Sequence, residues 1–224
     1  MLTGIGLGML PLLMADLPEQ ALSEIAQHHA HWPREPVSCA QLGETISTSY
    51  VNCYRGGDAG LRWLEPELPR LSKAFLFKTA IGKSSLTFFH ALALVHAYPT
   101  ASRAEATVLR ARLQAIVPRL ERERSPFARY VVLGLRLALA VIDERVDEAR
   151  DLVSEIRRRG ESSGDFLSLH APLYLEGLLD GGDAGLEKRN AALAAYASRG
   201  WKNPRRALVM FAPMIDVLEA RMSA

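Results

Sequence analysis

Apolar residues recur at spacings of three and four along most of the chain, the signature of helices that each bury one face. Leu61, Leu64, Leu68 and Leu71 form one such stripe; Leu109, Leu113, Ile116 and Leu120 form another; Val146, Ala149, Val153 and Ile156 a third. Phe88, Leu92 and Val95, then Tyr130, Leu133, Leu137 and Val141, mark further helices between them. No segment sustains the alternation of a half-buried strand, so the pattern predicts an all-α fold.

The polar breaks between stripes are themselves patterned. The hexapeptide GGDAGL occurs twice, at 56–61 and at 181–186. Its glycines can take the positive φ that ends a helix, and Asp58 and Asp183 are candidate N-caps for the helix that follows. Leu186, Leu193 and Tyr196 then continue the second copy's apolar face. Each copy therefore reads as the turn of a helix hairpin. Weaker turns near Asp16, Thr100 and Glu144 place the five breaks at intervals of about 41, 43, 44 and 38 residues.

A period of this length, with two helices in each interval, is the sign of an α-solenoid whose neighbouring pairs bury faces that no pair buries alone. The expected architecture is a single domain of about five antiparallel helix pairs, with units 1–36, 37–80, 81–125, 126–163 and 164–200 and a C-terminal capping helix within 201–224. Pro66, Pro69 and Pro118 fall inside helical patterns and are expected to kink or shorten them. Leu208, Phe211, Ala212, Ile215 and Leu218 share one face of the cap, whereas LTGIGLGMLPLLM near the start is apolar nearly all round. Upstream repeats or a second copy of the chain are expected to cover that start.

The turns LPEQAL at 17–22 and RVDEARDL at 145–152 resemble those of the tetratricopeptide superfamily, in which the second helix of a pair opens with a short polar turn and a Glu-Ala-Leu-like element. The intervals exceed that family's usual period of about 34, and its Trp-Leu-Gly-Tyr positions are not recovered. The chain is more similar to the longer, divergent repeats in the C-terminal regions of large bacterial serine/threonine kinases and ATP-dependent transcription regulators. AALAAYASRGWKNPRRALVMFAP resembles the closing stretch of the kinase-associated kind. The resemblance implies a right-handed superhelix and a regulatory role in signalling.

Composition narrows the function without specifying it. Of 224 residues, 49% are hydrophobic and 23% charged, which suits a folded chain, and a net charge of +2 is too balanced to argue on its own for nucleic acid or an anionic membrane as partner. The first fifteen residues lack the basic start and cleavage site of a signal peptide, and their apolar run is too short to span a bilayer. Cys39 and Cys53 make no disulfide framework, so a reduced, cytoplasmic location without membrane attachment is expected.

Candidate chemistry is sparse. AIGKSS at 80–85 matches the end of a phosphate-binding loop, but Phe77 stands where the first glycine belongs and no strand precedes it, so an N-cap or polar turn is the better reading. His28, His31 and Cys39 are too few for a zinc site, and His90, His96 and His170 have no nucleophile beside them in sequence. The carboxylates of VIDERVDEARD intermix with arginines as on a solvated face. No catalytic, metal or cofactor residue is therefore assigned.

What remains is a surface. The first helices of successive pairs are expected to line a concave groove for a protein or peptide, with Tyr50, Asn52, Arg55, Lys83, Thr87, His90, Arg129 and Arg136 as its polar and aromatic positions. The expected function is a non-catalytic interaction scaffold. Two alternatives stay open: nucleic-acid binding through the arginines of IRRRGES, EKRN and WKNPRR, and a helical enzyme built around His90 or His170.

Overall fold

In the computed structural model, which describes residues 7–123, 126–163 and 166–222, chain breaks fall where the sequence offers residues that tolerate positive φ. Gly56 and Gly57 have φ of 74° and 65°, Gly181 and Gly182 67° and 55°, and Asp16 and Glu144 adopt the same left-handed region at 58° and 59°. A 3₁₀ turn at Tyr98–Thr100 makes the remaining break. Around these breaks run α1 (Leu10–Met14), α2 (Pro18–His29), α3 (Cys39–Arg55), α4 (Ala59–Leu64), α5 (Leu68–Lys73), α6 (Phe75–Lys78) and α7 (Ala80–Ala97). The chain continues through α8 (Arg103–Glu121), α9 (Pro126–Ile142), α10 (Val146–Ser163), α11 (Phe166–Asp180), α12 (Gly182–Ala197), α13 (Pro204–Phe211) and α14 (Met214–Met222). No strand occurs among the described residues.

Packing is mostly between consecutive helices, in a repeat-like arrangement. From α7 onward each helix through α12 lies against the next, and α3 also touches α7 as α7 touches α9. The stripes supply the contact: Leu109, Leu113, Ile116 and Leu120 of α8 are buried, as are Ala149, Val153 and Ile156 of α10.

The recurring hexapeptide has a structural explanation beyond its turn. Its fifth residue is again glycine, and in both copies it sits against the residue eight positions earlier on the preceding helix. A Cβ at Gly60 would come 3.3 Å from Cβ of Asn52, and a Cβ at Gly177 would come 2.5 Å from the carbonyl oxygen of Gly185. The motif thus turns the chain and removes the bulk that would hold the second helix off the first.

Several expectations are corrected. Asp58 holds the N-cap position of α4, but its carboxylate makes an ion pair of 3.0 Å with Arg62 and no capping hydrogen bond, and Asp183 lies inside the first turn of α12, which starts at Gly182. Leu186 is exposed, because Gly185 takes the contact face and the next residue points about 100° away around the helix. Val146 is exposed as well. The Leu61–Leu71 stripe is split between α4 and α5, since Pro66 cannot continue a helix, while Pro69 opens α5 and Pro118 stays within the last turn of α8.

The largest departure is at the C-terminus. The expected capping helix is two helices, broken at Ala212 and Pro213, and they cover more than the last pair. Helix α13 packs on α3, α11 and α12, and α14 packs on α7, α9 and α11, so together they lie across the first helices of four successive pairs. The reason is in the residues between the predicted apolar positions: Ala207, Val209, Met210, Met214 and Val217 are also apolar and buried, leaving little face for water. Arg221 donates to the carbonyls of Val141 and, at 2.7 Å, Ile142, satisfying the C-terminal end of α9.

The two ends of the described chain meet. Asp16 accepts from the Tyr54 hydroxyl at 2.9 Å, from Asn203 at 3.3 Å and from Arg206 at 3.2 Å, while Lys202 donates its amide to Met14. Met9 and Leu13 are buried within the chain itself. For the described part of the apolar start, the covering surface is thus intramolecular; residues 1–6 lie outside the described residues.

Candidate functional site

The eight residues expected to line one groove do not share a surface. Tyr50 is half-buried, edge-on to Phe89 with ring centroids 5.0 Å apart and 5.8 Å from Phe211 of α13, so the C-terminal helices cover it. Asn52 is buried beside Gly60. Arg55 pairs with Glu19 at 3.0 Å between α3 and α2, and Arg136 pairs with Glu121 between α9 and α8. Arg129 is exposed on α9.

Lys83, Thr87 and His90 do come together. They follow one another at spacings of four and three on α7, and they are faced by Arg112, Ala115, Ile116 and Arg119 of α8 and by Arg122 and Glu123 just after it. Leu68 and Ser72 of α5 close the third side of a cleft of about 650 Å³. Its floor is apolar, formed by Leu68, Leu86, Ile116 and Leu120; its rim is cationic.

Local chemistry fixes several of these groups. Thr79 caps α7 by accepting from the Gly82 amide at 3.2 Å, so the phosphate-loop-like segment is the first turn of a helix. Ser84 donates to Glu123, whose other oxygen lies 3.4 Å from the Lys83 ammonium. Arg112 pairs with Glu65 and places its Nη2 2.9 Å from Nε2 of His90. That nitrogen accepts, so the imidazole is neutral; burial and then the Arg112 charge hold its pKa below the usual histidine value, against an opposing pull from Glu65. Ser84 and His90 are six residues apart on one helix, about 9 Å along its axis, so they do not form a nucleophile and base pair.

The cleft gathers several cations in one place. Most of the basic groups expected to form a C-terminal stripe are paired internally: Arg157 with Glu176 at 2.8 Å, Arg158 and Arg159 with Glu155 at 2.6 and 2.7 Å, Lys188 with Asp180 at 2.8 Å, Arg205 with Asp216 and Glu219, and Arg206 with Asp16 at 3.2 Å. Arg119 and Arg122, which line it, have no ion-pair partner among the described residues. Sequence reasoning missed this concentration, although a signal was present: the chain carries no acidic residue between Glu67 and Glu105. Among the described residues no three His, Cys, Asp or Glu side chains gather as a metal site would require.

No family model, no curated protein and no solved structure matches the chain. No helix among the described residues is long and apolar enough to cross a membrane.

Proposed function

We propose that the chain is a non-catalytic interaction scaffold of the tetratricopeptide-like kind, a right-handed stack of helix pairs with a regulatory role in bacterial signalling, and that its partner is an acidic segment of another protein. The observation that supports this reading is the α7–α8 cleft, which stays open and keeps Arg119 and Arg122 without ion-pair partners among the described residues, while α13 and α14 cover the side of the first helices that would be the inner face. Cations at Arg112, Arg119 and Arg122 are spread over about 15 Å of helix, which suits an extended acidic stretch better than one phosphate group. The apolar floor offers seats for the uncharged side chains between its carboxylates, and electrostatic complementarity of this kind speeds encounter and excludes basic competitors. The thiols of Cys39 and Cys53 are free, which fits a reduced, cytoplasmic setting.

Selection from a random library of twelve-residue peptides on the full chain tests the proposal. The enriched sequences should carry an excess of Asp and Glu with apolar residues between, and their affinity should fall at least tenfold in the Arg119→Glu/Arg122→Glu variant. It should hold in Arg103→Glu, about 24 Å away along α8. Enrichment with no acidic excess, equal binding by the double variant, or tighter binding of a single-stranded oligonucleotide would overturn the reading.

A further inference from the structure

A second cavity, of about 110 Å³, lies on the inner side of the helices between α7, α9 and α11, and the link from Phe211 to Met214 roofs it. We propose that it is a binding site for a small uncharged apolar molecule, the size of one hydrocarbon ring or a short alkyl chain. This is independent of the cleft between α7 and α8.

The lining decides the chemistry. Leu92, Val131, Leu135, Ile156, Leu175 and Met214 represent it, and none of the residues around the cavity is charged. Water entering such a space would find almost no hydrogen-bond partner, the Tyr130 hydroxyl being the single side-chain polar group in the lining, so the cavity either stays dry or takes an apolar guest. A cavity of roughly 150 Å³ with similar walls holds one benzene, which sets the size class.

The void is built into the sequence. Gly134 stands in the interior of α9 and lines the cavity, and a Cβ there would meet nothing within 4 Å. Three other helical glycines have a packing reason: Gly60, Gly177 and Gly185 allow two helices to touch. Gly134 has none, and glycine weakens a helix interior relative to alanine. The space it leaves is what it provides. Entry is from the side of Phe88 and Tyr130, where Tyr130 is 41% exposed and Phe127, 44% exposed, rests edge-on against Phe88 with centroids 5.6 Å apart. A guest would touch α7, α9, α11 and the 211–214 link at once, and so would fasten the C-terminal helices to the inner face.

Toluene and n-butylbenzene serve as probes on the full chain, with a nuclear Overhauser measurement between ligand protons and the Met214 ε-methyl. Saturable binding, a rise in the unfolding temperature with ligand, and contacts to Met214 are expected. In Gly134→Met, whose side chain enters the cavity, affinity should drop at least tenfold. Absence of saturable binding up to the solubility limit overturns the proposal, as does unchanged affinity in that variant. Should Gly134→Met fail to fold, the wild-type Met214 contact decides: its absence under bound toluene overturns the assignment equally.

Discussion

At the scale of single residues, the histidines show how far a name in a sequence falls short of a role. His90 faces the cleft and bonds Arg112, whereas His96, two turns further along α7, is 2% exposed and lies against the Met210 backbone. Burial pushes the His96 pKa down to about 4, with the Met210 contact pulling weakly the other way. The unfolded chain, with a histidine near 6.5, therefore binds more protons between those two values. Stability should fall as pH drops through that window, by about 3 kcal/mol in total, and change little from this source below it. Asp143, held below its ordinary pKa by Arg110, and Asp180, held so by Lys188, act at lower pH still, because their contribution is lost only as pH falls below the usual carboxylate range. Denaturant titrations of the wild-type chain and of His96→Gln at pH 7.5 and 4.5 check this. The wild-type loss should shrink in the variant; an equal loss would place the pH dependence elsewhere. Nothing near His96 in the sequence announces its burial, and the Met210 backbone it lies against belongs to α13, more than a hundred positions away.

At the scale of elements, the breaks were the most legible part. Glycine pairs and isolated Asp or Glu residues mark the turns because positive φ is a local steric matter, decided by the residue itself. Pro66 is local too, but its consequence was harder to place: a proline may kink a helix or divide it, and here it divides α4 from α5. The second role of GGDAGL was invisible until its fifth glycine was seen against a neighbouring helix. That contact makes a prediction of its own. Gly177→Ala would push a methyl group onto the Gly185 carbonyl, and backbone cannot step aside as a side chain can, so the variant should lose about 1–3 kcal/mol or more of stability. Thermal or urea unfolding measures it; a loss below about 0.5 kcal/mol would mean that α11 and α12 are not in close approach.

At the scale of the whole molecule, local pattern gave out. Periodicity shows that a helix has an apolar face but not which distant helix will cover it, so α13 and α14 read as an end cap although they also lie across α3, α7 and α9. The same limit hid the candidate site: Lys83, Thr87 and His90 were chosen from α7, while the guanidinium groups of Arg112, Arg119 and Arg122 that give the cleft its charge come from a different helix. Two proposals thus depend on each other, a side of the first helices that would be the inner face and is covered by the chain's own C-terminus, and a partner surface displaced to the α7–α8 cleft. Hydrogen exchange of the full chain, with and without an acidic peptide from the library selection, tests both together. The account predicts new protection within 83–90 and 112–123 and unchanged exchange across 204–222. Faster exchange across 204–222 on peptide binding would contradict it, because the partner would then be evicting the C-terminal helices and taking the inner face for itself.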